Sequence, residues 1–227
     1  MASFNEWKKS KSVDDLIKCN IKSLDGTIDN PIMWSDGTPI LYEDTLPYME
    51  TIKQINQNGF ITLCSQPTSY DYCFSDKPYH REQCYKTILD RPLFDMIEGK
   101  YFTELLQKGY CEGYIKYDML KKFSDKIKNM GYDIYYYSNY HKLDCDTEQR
   151  INVTHAFNGM VRYEMTNVHL VKENDDNSYY HIKKALSKEM AKKIRIECVF
   201  ICVIDKEFGS KLSEPKNIYG DILSCLI

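Results

Sequence analysis

Residues 109–138 read GYCEGYIKYDMLKKFSDKIKNMGYDIYYYS, and this stretch carries the clearest structural pattern in the chain. Its two ends, GYCEGYI and YDIYYYS, have the aromatic and β-branched character of strands. Between them, apolar residues recur at the spacing of one helix face: Leu120, Phe123, Ile127 and Met130. Asp118 suits the helix N-cap and Gly131 suits its end. A strand, a helix and a strand joined by short loops predict a βαβ unit with two parallel strands.

The N-terminal part of the chain predicts two helices and a strand. Ser12 as N-cap and Asp15 three residues later form the pattern of a capping box, and helical periodicity follows as far as Gly26. A second helix is expected from Asp44 to Asn58, with a proline in its first turn. The strand FITLC, residues 60–64, follows it directly.

The second half of the chain predicts an antiparallel hairpin, a helix and a strong strand. Asn158-Gly159 joins two alternating segments and suits a type I′ turn. Residues 179–192 have helical periodicity, whereas residues 175–177 have the composition of a turn. Residues 194–204, IRIECVFICVI, predict a central strand that is covered on both faces.

These elements predict an α/β fold that tends towards α+β. We expect a mixed sheet of about six or seven strands, with the βαβ unit, a C-terminal antiparallel hairpin and flanking helices. The length of 227 residues favours a single domain over residues 1–227. Residues 68–107 have weaker patterns, with short helical pieces at 93–98 and 101–107, and are interpreted as an insertion over the core.

Composition and charge narrow the class of protein. With 28% charged and 43% hydrophobic residues, the chain has a globular composition. Its net charge of −3 argues against bulk binding to nucleic acid, although a local basic patch is compatible with it. The nine cysteines form no CxxC pair, and no apolar run approaches the ~20 residues that span a membrane. Together with the lack of an apolar leader, these features predict a cytoplasmic protein in a reducing environment, without membrane association.

The strand FITLC ends in Ser65, Gln66 and Pro67. In open α/β sheets, ligands bind beyond the carboxyl ends of parallel strands. Ser65 and Gln66 are therefore predicted to contact a ligand there, together with the strand ends near 115 and 138. A hydroxyl and an amide suit a neutral polar group or the edge of a phosphate. The alternative is a simple strand-ending turn at Pro67.

Two other segments supply candidate site residues. The Gly- and Pro-rich loop at 25–43 carries Trp34, which can stack on a planar ligand or plug the core, and Asp36, which can bind a ligand or form an Asx turn. Glu112 lies inside an apolar strand, where a carboxylate costs free energy unless it is paired or wet. Glu112 is thus a candidate acid/base or hydroxyl-binding group, unless it lies on an exposed face or edge. Gly113 beside it permits close approach of another backbone.

Metal and nucleophile chemistry have less support. Asp144, Asp146 and Glu148 alternate and could offer oxygen ligands to Mg²⁺ or Ca²⁺, but such a run is more often a solvated loop. Cys64 is interpreted as a small buried residue, since no histidine adjacent in sequence lowers its pKa. Zinc-type histidine spacings and the GxGxxG, P-loop and GxSxG fingerprints do not occur, so the sequence leaves the cofactor unknown.

Residues 34–67, WSDGTPILYEDTLPYMETIKQINQNGFITLCSQP, resemble the N-terminal signature of an uncharacterised family of actinobacterial and large DNA virus proteins. The shared residues are Leu46-Pro47, Ile55-Asn56, Gly59-Phe60, Thr62 and Ser65-Gln66-Pro67. GYCEGYI followed by a helix is a second shared element. The start of this pattern is also distantly similar to wybutosine-synthesis methyltransferase-like proteins, which have Ser-Cys-Ser-Gly where this chain has Ser-Gln-Pro. The family resemblance implies no particular activity.

Three hypotheses of function follow. The first is an enzyme or binding protein for a nucleotide-like or other polar ligand, oriented by Ser65 and Gln66, stacked on Trp34 and acted on by Glu112. The second is a non-catalytic interaction or host-modulating protein with an exposed tyrosine patch. The patch would comprise Tyr70, Tyr72, Tyr79, Tyr132, Tyr135, Tyr136, Tyr137 and Tyr140. The third is a metal-dependent, nuclease-like enzyme that uses the carboxylates at 144–148.

Overall fold

The computed structural model describes residues 4–31, 45–75, 95–97, 100–143, 151–158, 161–169, 171–207 and 216–227. The α-helices in these ranges are α1 (Asn5–Lys9), α2 (Val13–Leu24), α3 (Met49–Gln57), α4 (Tyr117–Asn129), α5 (Val171–Ala185), α6 (Lys188–Glu197) and α7 (Ile218–Leu226). The strands are β1 (Phe60–Gln66), β2 (Ser69–Ser75), β3 (Asp95–Ile97), β4 (Lys100–Gln107), β5 (Tyr110–Lys116), β6 (Tyr132–Tyr137), β7 (Ile151–Asn158), β8 (Val161–His169) and β9 (Cys198–Asp205). The fold therefore combines helices and strands, as predicted.

The first sheet has four strands in the order β1-β5-β9-β6, and every pairing in it is antiparallel. β5 and β6 run in the same direction, but they are not hydrogen-bonded to each other, because β9 lies between them and is antiparallel to both. The expected simple βαβ unit is therefore a split one. The connecting helix α4 sets the direction of β6, but it does not determine which strand pairs with β5.

Helices cover both faces of this sheet. α1, α2, α5 and α6 pack on one face, called here the α5 face; α3, α4 and α7 pack on the other, called the α4 face. β9 is buried along its whole length, because alternate residues enter the two apolar clusters. Phe200 and Cys202 belong to the α5 face, and Val199 and Ile201 to the α4 face. The prediction of a central strand covered on both sides is confirmed.

Two local predictions near β9 are wrong. Residues 194–197 form the end of α6 instead of the start of a strand, because the Ser187 side chain caps the helix and Met190 and Ile194 bury one of its faces. Residues 175–177 lie inside α5 and not in a turn. Packing against the sheet overrides their turn-like composition.

The other five strands form a second sheet in the order β2-β4-β7-β8, with β3 also paired to β4. The predicted hairpin is confirmed, since β7 and β8 pair antiparallel next to Asn158. It belongs to this second sheet, so the expectation of one mixed sheet of six or seven strands is wrong. Residues 95–97 and 101–107 lie in strands and not in helices. Residues 101–107 pair with β2 and β7, which are distant in the sequence and which a local pattern does not reveal, whereas residues 95–97 pair with the adjacent start of β4. The assignment of the whole chain to one domain stays a prediction.

Buried polar residues of α2 and α3 hold β1 in place. The Asn56 amide oxygen accepts hydrogen bonds from Thr62 N at 3.1 Å and from Asn20 Nδ2 at 2.8 Å. Its Nδ2 donates to Thr62 Oγ1 at 2.7 Å and to the Ile52 carbonyl at 2.8 Å. Gly59, with φ of +96°, makes the turn from α3 into β1 in a conformation that favours glycine. Asn56, Gly59 and Thr62 therefore have structural roles.

Gly113 allows β1 and β5 to approach closely. The pairing of these strands is irregular between Thr62 and Cys64. At this place a Cβ on Gly113 would lie only 1.9 Å from the carbonyl oxygen of Ile61. The close backbone approach expected from the glycine is confirmed, and it brings the C-terminal half of β1 alongside Glu112.

Candidate functional site

Ser65 and Gln66 form the end of β1, but this end does not lie where a parallel sheet would place it. Gln66 pairs with Tyr110, the first residue of β5. The expected partners near Ile115 and Ser138 lie at the opposite edge of the sheet, because β1 is antiparallel to β5 and β6 runs in the direction of β5. The prediction that the ends of β1, β5 and β6 lie close together is therefore wrong.

The two predicted ligand residues of β1 point to different faces, since successive strand residues alternate. Gln66 is paired with Tyr110 and lies on the α5 face. Ser65 is paired with Cys111 and lies on the α4 face. The structure thus brings Gln66, and not Ser65, to the face that carries Glu112.

Glu112 occupies the middle of β5 on the α5 face and is only 6% exposed. Its neighbours across the sheet are Cys64 on β1 and Cys202 on β9. From α5, Asn174 Nδ2 donates a hydrogen bond of 3.1 Å to Glu112 Oε2. The alternative of an exposed edge position is excluded. A well-packed apolar residue at this position would often stabilise the fold as well as a buried carboxyl group or better, so stability does not explain the glutamate. Glu112 is therefore a candidate functional group.

Cys64 and Tyr110 flank Glu112 and Gln66 on the same face. Cys64 Sγ lies 3.5 Å from Tyr110 Oη. Burial, with a smaller effect of Glu112, raises the pKa of the Cys64 thiol to about 12. Burial also raises the pKa of the Tyr110 phenol well above its ordinary value. Both groups are therefore uncharged near neutral pH, so they offer hydrogen bonds but no thiolate nucleophile.

A second buried polar group, which the sequence reasoning missed, lies beside the first. Asp175 of α5 is fully buried and accepts a hydrogen bond of 2.7 Å from Tyr114 Oη. It also forms an ion pair with Arg195, whose guanidinium lies 3.8 Å from the centre of the Tyr179 ring. Burial raises the pKa of Asp175, and its hydrogen bonds and ion pair act in the opposite sense. Two successive residues of α5 thus anchor this helix to β5 through polar contacts.

Several predicted site residues lie outside the described residues: Trp34, Asp36, Asp144, Asp146 and Glu148. Within the described ranges, no group of three or more His, Cys, Asp or Glu side chains could hold a metal ion. The nuclease-like alternative stays a prediction. The helices that are described include none long and apolar enough to cross a membrane.

The tyrosine patch is smaller than expected. Tyr132 is fully buried, and Tyr135, Tyr136 and Tyr137 are partly buried against the two apolar clusters. Tyr140 is 61% exposed. Tyr79 lies outside the described residues, and the side chains of Tyr70 and Tyr72 in β2 are not described either. Most of the described rings therefore pack against the core, which weakens the interaction-protein alternative.

Comparison with known proteins assigns no family. No protein-family model matches the chain, and no curated protein is significantly similar to it. The resemblance of residues 34–67 to an uncharacterised family, and the distant one to wybutosine-synthesis proteins, stay predictions.

Proposed function

We propose that this protein binds a small polar, nucleotide-like ligand on the α5 face, beside the C-terminal half of β1. The observation that carries the proposal is the Glu112 carboxyl group, which is buried in the middle of the sheet and hydrogen-bonded to Asn174. Gln66 lies on the same face, is partly exposed and belongs to an edge strand, so a ligand can reach it from solvent.

The chemistry of these groups suits a heterocycle with both donors and acceptors. A carboxyl group accepts hydrogen bonds, and the Gln66 amide both donates and accepts them. The N–H and C=O edge of a nucleobase offers the complementary set. Tyr110 and Cys64 stay uncharged beside them and favour a neutral part of the ligand. If the ligand is also transformed, Glu112 is the group that exchanges a proton with it.

Thermal-shift and calorimetric titrations with nucleosides and nucleotides test the proposal, after native mass spectrometry of the purified protein for a retained ligand. Glu112→Gln keeps the shape of the side chain and should remove most of the affinity. Gln66→Ala should weaken binding as well. Ser65→Ala is the matched control, because Ser65 lies on the opposite face and should leave binding unchanged.

Circular dichroism separates loss of binding from loss of folding in each variant. Unchanged affinity in folded Glu112→Gln and Gln66→Ala would contradict the site. The same effect from Ser65→Ala as from Gln66→Ala would contradict its assignment to the α5 face. A panel in which no nucleoside or nucleotide binds would rule out the ligand class.

A further inference from the structure

Two lysine-rich segments that are far apart in the sequence face one groove on the surface. Residues 8–11 read KKSK and lead from α1 into α2, and residues 187–193 begin α6. The groove has a volume of about 790 Å³, and its charged lining residues are Lys8, Lys9, Lys11, Lys193 and Glu189. Four ammonium groups against one carboxylate make a positive patch on a chain whose net charge is −3.

The ammonium groups of this groove are available to a ligand. Lys8, Lys9 and Lys11 are exposed, and none of them forms an ion pair within the described part of the chain. Lys193 donates to the Lys11 carbonyl at 3.1 Å and lies 3.6 Å from Glu197, which is a weak surface pair. The N-termini of α2 and α6 are already capped by their own side chains. An anion would therefore be held by the lysines and not by a helix end.

Exposed aromatic rings are connected by polar contacts to α2 and α6, the two helices next to this groove. Tyr117, at the start of α4, stacks on His141 with ring centres 3.8 Å apart and planes 2° apart. Tyr117 is 44% exposed, and Tyr140, whose ring contacts His141 edge to face with centres 5.5 Å apart, is 61% exposed. Lys116 pairs with Asp14 in the first turn of α2 at 2.8 Å, and the His141 ring bonds a carbonyl in the last turn of α6 at 2.8 Å. The helices that border the groove thus also border the rings.

We propose that the lysine groove and the exposed rings bind single-stranded nucleic acid. Lysine ammonium groups bind phosphates as point charges, and exposed rings stack on unpaired bases of any sequence. An anionic membrane fits less well, because the patch is concave and its described lining has no exposed aliphatic side chain. An acidic peptide would leave the rings without planar partners. This surface is separate from the site at Glu112 and does not depend on it.

The number of lysines in the groove predicts how strongly the binding affinity falls as the salt concentration rises. Each phosphate neutralised on a single strand contributes about −0.7 to the slope of log K against log salt concentration. Engagement of the four lysines therefore predicts a slope of about −3. Because the rest of the chain is net negative, binding should be confined to this surface, with a Kd of about 10⁻⁶ to 10⁻⁴ M at physiological salt.

Fluorescence anisotropy with labelled oligonucleotides about 12 nucleotides long tests the proposal on the full chain, over about 50 to 200 mM salt. The triple variant K8Q/K9Q/K11Q should weaken binding at least about tenfold and make the salt slope shallower by about 2. The matched control, K122Q/K126Q/K128Q, removes the same charge from the part of α4 that follows its first turn, and α4 packs on the opposite face of the sheet from α1, α2 and α6. It should retain both the affinity and the slope.

Tyr140→Ala separates base stacking from charge. It should weaken binding roughly fivefold or more and leave the salt slope unchanged. Equal losses in the groove variant and the α4 control would overturn the proposal, as would no binding at the lowest salt. Binding to polyglutamate or to anionic phosphatidylserine vesicles as tight as to the oligonucleotide, with no effect of Tyr140→Ala, would overturn it in favour of a protein or a membrane partner.

Discussion

The contact between Gly113 and β1 provides a strong test of the fold. A Cβ on Gly113 would lie 1.9 Å from the Ile61 carbonyl oxygen, 2.9 Å from its carbonyl carbon and 3.0 Å from Phe60 Cε2. Carbon and oxygen atoms in close backbone contacts stay about 3.3 Å apart. Since the two nearest atoms belong to the backbone, no change of rotamer relieves the clash. Gly113→Ala therefore requires β1 to move by more than about 1 Å.

The environment of β1 sets the energetic cost of this movement. Thr62 is held by the buried Asn56 amide, so a displaced strand strains or breaks these hydrogen bonds. A buried polar group left unsatisfied costs about 1–3 kcal/mol, and overpacking adds about 1–3 kcal/mol. We expect Gly113→Ala to lower the free energy of unfolding by about 3–5 kcal/mol. For a chain of this length the melting temperature should fall by about 10 °C.

Urea and thermal denaturation, followed by circular dichroism, measure both quantities. Gly26→Ala is the matched control, because Gly26 has φ of +70° and no atom lies within 4 Å of an added Cβ. It should cost only the strain of a left-handed backbone, about 1–2 kcal/mol. A loss of less than about 1 kcal/mol for Gly113→Ala would refute the close approach of β1 and β5.

Three further predictions concern the side chains of Asn56, Cys64 and Asp175. Asn56→Ala should lower the free energy of unfolding by about 3 kcal/mol or more, because Thr62 and Asn20 lose their acceptor; a loss under about 1 kcal/mol in urea denaturation would contradict the network. Cys64 should be alkylated at least about a hundredfold more slowly in the folded than in the unfolded protein near neutral pH, since its pKa is raised to about 12; peptide mapping would show equal rates if this is wrong. The pKa of Asp175 is raised above 3.8, so its protonated form stabilises the fold below pH 3.8, and this contribution is lost as the pH rises through the raised pKa. The stability of the wild type relative to Asp175→Asn should therefore fall from acid towards neutral pH, and a rise would refute the shift.

Features that depend on neighbouring residues could be predicted from the sequence. The capping box of Ser12 and Asp15 forms as expected, with each side chain bonding the other's backbone N–H. Helix α4 and the two-sided burial of β9 follow from periodicity within one segment. The role of Gly113 also followed from its position inside a strand. In each case the signal and the structure lie within a few residues of each other.

Features that depend on distant pairing could not be predicted in this way. Nothing within residues 109–138 indicates that β9, about 60 residues further on, separates β5 from β6. The composition of the segment around Asp175 is typical of a turn, and its helical state depends on contacts with Tyr114 and Arg195. A weak signal was present, because Asp175, Tyr179 and Ile182 recur at helical spacing. The periodicity from residue 179 onward could have been extended backwards to include it.

β1 runs antiparallel to β5 and not parallel to it as expected, and this direction changes where a ligand can bind. In a parallel sheet the carboxyl ends of all strands share one edge, whereas in an antiparallel sheet the ends of successive strands lie at opposite edges. In an antiparallel sheet, side chains from different strands therefore come together where paired residues lie side by side on one face. The row that includes Cys64, Glu112 and Cys202 crosses three adjacent strands of the α5 face. A ligand that reaches Glu112 must therefore lie on that face, next to Asn174 of α5, and Gln66 is the residue of the Ser-Gln-Pro end that can meet it there.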